Sequence, residues 1–103
     1  MAEIHYSPLA FKDLDKIYNY ISEELYNSTA AQNMIDGIMK TVDKLADFPE
    51  MGSALYFLSG LNSGYRYVTY KNYMAFYRIK KSDVFVDRVL YGKSDYMRIL
   101  FKN

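Results

Sequence analysis

Basic and phenolic side chains gather directly after the last strand-like segment of the sequence. The stretch RVLYGKSDYMR contains Arg88, Tyr91, Lys93, Tyr96 and Arg98. Guanidinium and ammonium groups bind phosphate and carboxylate, whereas a phenol can stack on a base or transfer a proton. Side chains at a strand end leave the core and stay rigidly placed. The pattern therefore predicts a surface that engages an anionic target or is covered by a partner.

Three members of this cluster are candidates for catalysis. General acid–base chemistry on an anionic substrate needs a base, an acid and cations that stabilise the developing charge. Arg88 and Lys93 could supply the charge, and Tyr91 could move a proton. Residues that bind the target or a nucleic acid are predicted to be Arg66, Arg78, Arg88, Lys93, Tyr96 and Arg98. Whether any residue is catalytic in the strict sense is left open by the sequence.

Structural roles compete with these functional ones. Arg88 lies inside a predicted strand, where an ion pair with a neighbour across the sheet or with a helix acid is a common arrangement. Arg66 and Arg78 can simply face solvent, and Lys93 with Asp95 can form an ordinary turn ion pair of small energy. The functional and structural interpretations both stand at this point.

The charge of the chain is divided unevenly. Residues 1–63 hold four lysines and nine acids, a net charge of −5, and residues 64–103 hold nine Lys and Arg and three acids, a net charge of +6. A basic second part predicts an anionic partner, namely nucleic acid, an acidic protein segment or the acidic first part of the chain itself.

Composition excludes several classes of protein. The 103 residues suit one domain, 1–103, and half of them are hydrophobic, which argues against disorder. No cysteine is present, so disulfides and thiolate chemistry are excluded, and the single histidine, His5, argues against a histidine-built metal centre. We therefore predict no metal and no cofactor. Without an apolar run long enough for a bilayer or a signal-peptide pattern, we expect a cytoplasmic protein.

Two amphipathic helices are predicted in the first half. Ser7 and Pro8 are suited to the start of a helix, and apolar residues then recur at three- and four-residue spacing to Leu25. Ser28 or Thr29 is expected to cap a second helix that ends before Pro49. Their closeness in sequence favours an antiparallel hairpin.

Strand-like runs occupy both ends of the chain. A short strand is predicted at 3–7, and three β-branched and aromatic runs at 65–70, 73–79 and 84–91 are separated by short turns. Residues 53–63 form a connection of uncertain form. The predicted class is α+β: a short N-terminal strand and a two-helix antiparallel hairpin packed on a mainly antiparallel sheet of three to four strands.

These segments, in this order, resemble the RelE/ParE superfamily of small bacterial toxins from type II toxin–antitoxin systems. The resemblance covers nearly the whole chain, although each motif alone is mostly core pattern. The matching stretches are AFKDLDKIYNYI (10–21), LADFPEMG (45–52), the pair Tyr65–Arg66, NYMAFYRI (72–79) and VFVDRVLYGKSDY (84–96).

The resemblance implies a growth-inhibiting toxin of the plasmid-stabilisation type, but it leaves the target divided. ParE-like members poison DNA gyrase, whereas RelE-like members cut mRNA in the ribosome without a metal. In many nuclease members the middle strand carries an arginine where this chain has Met74, and in another nuclease branch a histidine stands where this chain has Lys93. These differences favour the gyrase-directed function over the ribosome-dependent nuclease.

A cognate antitoxin is the second partner that the resemblance implies. Such antitoxins wrap the toxin with a helix or strand and use apolar anchors. Tyr56, Phe57 and Phe101 are the predicted antitoxin-binding residues. A further alternative is a non-toxic binding module with the same fold.

Overall fold

The computed structural model describes residues 1–102 and has the α+β architecture that the sequence predicts. The helices are α1 (Pro8–Asn19), which continues as a π-helical turn (Tyr20–Glu24), α2 (Ser28–Asp43) and α3 (Tyr96–Leu100). The strands are β1 (Ile4–Tyr6), β2 (Ser53–Tyr56), β3 (Asn62–Tyr70), β4 (Tyr73–Lys80) and β5 (Asp83–Tyr91). No helix among the described residues is both long and apolar enough to cross a membrane.

The five strands form one sheet in the order β1-β5-β4-β3-β2. β1 is parallel to β5, and all other neighbours are antiparallel. The sheet has one strand more than the predicted upper bound, because the segment of uncertain form contributes β2. This strand is only four residues long and its pairing is irregular between Ala54 and Tyr56. Its sequence therefore shows no clear alternation of apolar and polar residues.

The helix starts depend on two side-chain caps. Ser7 Oγ accepts a hydrogen bond from Ala10 N at 3.0 Å, as predicted for the start of α1. The cap of α2 is Asn27, whose Oδ1 accepts from Ala30 N at 2.9 Å, so the expectation of Ser28 or Thr29 was wrong. Tyr26, with φ of 52°, turns the chain so that Asn27 is the residue that faces the free N–H groups.

The two faces of the sheet are covered to different extents. The α1–α2 hairpin packs on one face, which we call the helix face, over a core that includes Val68, Ala75, Tyr77, Val86 and Val89. The opposite face, which we call the open face, carries the buried residues Leu55, Met74, Phe76 and Leu90, and α3 lies against them.

A bulge in β5 explains why its sequence is ambiguous. Phe76 pairs with Arg88 but the next residue, Tyr77, pairs with Val86, so Asp87 is an extra residue on β5. The bulge changes the alternation of side chains, and Val89 therefore faces the helices with Val86 although the two are an odd number of positions, three, apart.

Tyr77 connects the sheet to the turn before β2. Its side chain is fully buried, its hydroxyl donates to Pro49 O at 2.6 Å, and it accepts from Gly52 N at 3.1 Å. Gly52 has no room for a side chain, since a Cβ there would lie 2.7 Å from the carbonyl oxygen of Tyr67. This contact places β2 beside β3.

We predict opposite effects for two tyrosine-to-phenylalanine changes. Tyr77→Phe leaves a buried N–H and a carbonyl unpaired and should lower the free energy of unfolding by about 1–3 kcal/mol. The Tyr6 hydroxyl is buried and has no hydrogen-bond partner within residues 1–102, so Tyr6→Phe should be neutral or stabilising. Urea unfolding followed by circular dichroism measures both. Equal losses would contradict the assigned hydroxyl contacts.

Candidate functional site

The predicted cluster follows β5 into a tight turn and then α3. Gly92 N donates to Asn72 O at 2.7 Å, and Ser94 Oγ donates to Tyr91 O at 2.6 Å. These bonds fold the chain back toward the open face, where the ring of Tyr96 lies 5.2 Å from that of Phe76. The turn therefore separates side chains that are close in sequence.

Arg88 points into the fold. Its Nε and Nη2 each donate to a carboxylate oxygen of Asp13 at 2.8 Å, and Val89 N donates to the same carboxylate at 2.9 Å. The hydrogen bond to Asp13 raises the pKa of Arg88 above its ordinary value. Asp13 is 5% exposed and the Arg88 side chain 20%. The structure thus has the ion pair with a helix acid that the sequence left as the alternative.

Arg78 lies on the open face in a second network. Its Nε donates to Asp87 Oδ2 at 2.8 Å, and the Tyr65 hydroxyl donates to the same oxygen at 2.8 Å. The pKa of Tyr65 is raised to about 12, mainly by burial and secondly by this hydrogen bond. The phenol is therefore neutral near pH 7 and is not available there as a base.

The remaining arginines are also held by neighbours. Arg66 Nη1 donates to the carbonyl oxygens of Gly52 at 2.7 Å and Glu50 at 3.2 Å, at the far side of the sheet from β5. Arg98 pairs with Asp95 at 3.3 Å in an exposed contact. The four arginines predicted to bind the target are thus spread over both faces of the sheet and α3.

Lys93 and Tyr91 are exposed members of the cluster, as is Arg98. Lys93 is exposed, and no ion pair within residues 1–102 involves it. Tyr91 is 43% exposed, and its ring lies 5.9 Å from that of Tyr73. It borders a cleft of about 540 Å³ between the helical hairpin and the strand ends, lined by Tyr20, Ile21, Leu25, Met34, Asn72, Tyr73 and Tyr91.

Met74 is buried under α3. It belongs to the apolar cluster of the open face together with Leu90, which is its partner on β5. The resemblance to nuclease members of the superfamily would place an arginine at this position. A thioether cannot neutralise a phosphate, so the centre of the open face has no cation at this position.

The predicted antitoxin-binding residues lie close together. The ring of Phe101 is 4.8 Å from that of Phe57 and 5.6 Å from that of Tyr65. Tyr56 is 56% exposed, and the neighbouring Leu58 is fully exposed. We call the group formed by Tyr56, Phe57, Leu58, Tyr65 and Phe101 the aromatic patch. It joins the end of β2 to the end of α3.

Asp13 and Asp87 are the ion-pair partners of Arg88 and Arg78, and the sequence analysis did not identify them. Asp13 does carry a signal, because it follows Ala10 by three residues and precedes Ile17 by four, which places a carboxylate in the apolar stripe of α1. No local pattern identifies Asp87 as the extra residue of a bulge.

We predict that removing the buried carboxylate destabilises the fold. Asp13→Ala leaves Arg88 and Val89 N without a partner, so the free energy of unfolding should fall by about 3 kcal/mol or more. The matched control, Asp95→Ala, breaks the exposed pair with Arg98 and should cost under about 1 kcal/mol. Urea unfolding at pH 7 measures both; a control as damaging as Asp13→Ala would refute the assignment.

The raised pKa of Tyr65 predicts a loss of stability in alkali. The folded pKa of about 12 exceeds the ordinary tyrosine pKa of about 10, so the stability due to the neutral phenol is complete below about pH 10 and is lost as pH rises toward 12. Tyr65→Phe should therefore lose less stability between pH 9 and pH 11 than the parent does. Tyr26→Phe, at a 92% exposed position, should follow the parent. Identical pH profiles for all three proteins would contradict the prediction.

Known proteins resemble this chain both in sequence and in fold. The family model for the ParE toxin of the type II toxin–antitoxin system parDE matches residues 4–96. No curated protein matches the chain in sequence. The structure is similar to that of the chromosomal ParDE system from P. aeruginosa, with a TM-score of 0.74 and 22% identity over 88% of this chain and 96% of that one.

A second similar structure comes from the RelBE2 toxin–antitoxin complex of Mycobacterium tuberculosis. Its TM-score is 0.63, with 17% identity over 87% of this chain and 90% of that one. At these identities the two structures support the fold, and the family assignment rests on the sequence match that spans all five strands and both long helices. The chain belongs to the ParE toxin family of type II toxin–antitoxin systems, within the RelE/ParE superfamily.

Proposed function

We propose that this protein inhibits bacterial growth by acting on DNA gyrase and that a cognate antitoxin neutralises it. Membership in the ParE family supports this target, because gyrase is the target that the resemblance to ParE-like members implies. The choice of gyrase over ribosome-bound mRNA rests on one observation. Arg88, Arg78 and Arg66 are bound to carboxylate or carbonyl groups of the protein itself. We further propose a cytoplasmic location, where both gyrase and the antitoxin would be met.

Engaged arginines argue against metal-free RNA cleavage. That reaction needs cations free to meet the phosphorane charge. Arg88 is tied to Asp13, Arg78 to Asp87, and Arg66 to backbone carbonyls. To bind phosphate, Arg88 would have to leave a carboxylate that is 5% exposed, at a cost of several kcal/mol.

Among residues 1–102, the side chains at the centre of the open face are also unsuited to act as a base. Tyr65, the phenol beside Arg78, has a pKa of about 12 and already donates to Asp87. Met74 stands in place of the middle-strand arginine and is covered by α3. The ribosome-dependent nuclease therefore remains the less supported alternative, and a non-toxic module is the third.

Lys93 and Tyr91 are the residues that we propose contact the target. Both are accessible at the end of β5, and Lys93 offers a cation to an acidic protein surface. Tyr96 supports this turn through Phe76, and Arg98 adds an exposed charge. The proposed action is binding rather than catalysis, because no ion pair or side-chain hydrogen bond within residues 1–102 joins Lys93 or Tyr91 to an acidic or basic group.

The aromatic patch is the proposed antitoxin surface. Tyr56, Phe57, Leu58 and Leu61 expose apolar area beside the edge strand β2. Exposed apolar groups of this kind support a protein interaction site here. The similar structures are described as a ParDE system and as a RelBE2 toxin–antitoxin complex, which supports a protein partner of this kind here.

Pulse labelling after controlled induction without an antitoxin tests the proposed target. We expect DNA synthesis to stop before protein synthesis. Protein synthesis stopping first would favour the nuclease, and continued growth with normal synthesis would favour the non-toxic module. Either of these results rejects the gyrase assignment.

Matched lysine variants test the surface. Lys93→Ala should weaken growth inhibition at least tenfold at equal expression, with an unchanged melting temperature, because Lys93 is exposed and unpaired among the described residues. Lys12→Ala, at an exposed position of α1, is the control and should remain as toxic as the parent. Full toxicity of Lys93→Ala would show that the turn after β5 is not the contact.

A further inference from the structure

One histidine and two carboxylates meet at the edge of the sheet farthest from β2. Glu3 and His5 are two residues apart along the N-terminal segment, so their side chains lie on the same side. Asp83 begins β5, the parallel neighbour of β1, where Ile4 pairs with Val84. One possible ligand atom from each of the three residues lies within 4.8 Å of the others.

The distances in this group are close to those around a bound zinc ion. His5 Nε2 is 3.5 Å from Glu3 Oε2 and 3.8 Å from Asp83 Oδ2. Tetrahedral zinc, with bonds of about 2.0–2.2 Å to nitrogen and oxygen, holds its ligand atoms about 3.3–3.6 Å apart. Two of the three separations thus need only small changes. The third separation is that between the carboxylates of Glu3 and Asp83. The Glu3 side chain is 77% exposed and can move to shorten it.

Two of the three ligands are already oriented. The His5 ring stacks on Phe85, with centroids 4.8 Å apart and planes 15° apart. Glu3 N donates to Asp83 Oδ1 at 3.0 Å, which leaves Oδ2 directed toward the imidazole. Groups that hold ligands in this way lower the cost of binding a metal.

The donor set indicates which cation would bind. Imidazole nitrogen suits zinc and its transition-metal neighbours, whereas magnesium and calcium prefer oxygen ligands throughout. Three protein ligands leave a fourth zinc position for water. Without a metal, a protonated His5 could pair with both acids, so a salt-bridge triad is the competing explanation.

We propose that Glu3, His5 and Asp83 form a zinc site that fastens β1 to β5. β1 has three residues and, in the part of the chain that the structure describes, pairs with β5 alone, so the ion would secure the edge of the sheet. Considered alone, His5 argued against a metal centre. The strand pairing supplies the carboxylate of Asp83, which lies 78 residues away along the chain. This proposal is independent of the proposed function.

Calorimetric titration of the full chain with zinc chloride, after removal of any affinity tag, tests the site. We expect one zinc per chain. His5→Gln and Asp83→Asn should each weaken binding at least tenfold, and the matched control Glu23→Gln, an exposed carboxylate elsewhere, should bind like the parent. Absence of binding at 1 mM zinc, or full binding by His5→Gln, would overturn the proposal.

A spectroscopic measurement separates zinc coordination from the salt-bridge triad. His5 is the only histidine in the chain, so imidazole ¹⁵N resonances report on this site alone. We expect one ring nitrogen to shift strongly at one equivalent of zinc and to stay unchanged with magnesium or calcium. The melting temperature should rise with zinc in the parent and not in Asp83→Asn. An unchanged imidazole spectrum or an equal rise in Asp83→Asn would refute coordination.

Discussion

The buried ion pair between Asp13 and Arg88 is the contact on which the rest of the structure depends. It joins α1 to β5, and the same carboxylate also accepts from Val89 N, just after the bulge in that strand. A carboxylate that is 5% exposed must be paired, so the helix cannot shift along the strand without leaving a charge unsatisfied. The pair therefore defines the register between the helical hairpin and the sheet.

The bulge has consequences on both faces of the sheet. It directs Val86 and Val89 toward the helices while Asp87 and Leu90 face the other way. Helices cover one face, and α3 with the aromatic residues covers much of the other. The groups that we assign to the target surface and to the zinc site lie at strand ends, outside these covered areas.

The uneven distribution of charge has a partly internal explanation. Arg88 from the basic part is neutralised by Asp13 from the acidic part, and Arg78 and Arg98 are paired within the basic part itself. Only the pair with Asp13 lowers the net charge of residues 64–103, because Asp87 and Asp95 are already counted in it, but all three pairs reduce the number of arginines that are free to bind a polyanion. This is why we favour a protein target over cleavage of RNA, although the net charge of +6 in residues 64–103 is compatible with either.

The sequence by itself determined the family and most of the elements, since these follow from local patterns. The apolar spacing in α1, the Ser7 cap and the short turn at Lys71 and Asn72 are all readable within a few residues. Only the tertiary structure decided the partner of Arg88, the fifth strand β2 and the meeting of His5 with Asp83. The residues in the Asp13–Arg88 pair lie 75 positions apart, and one extra residue in β5 changes the face that a side chain occupies. Local periodicity carries no information about contacts of that length.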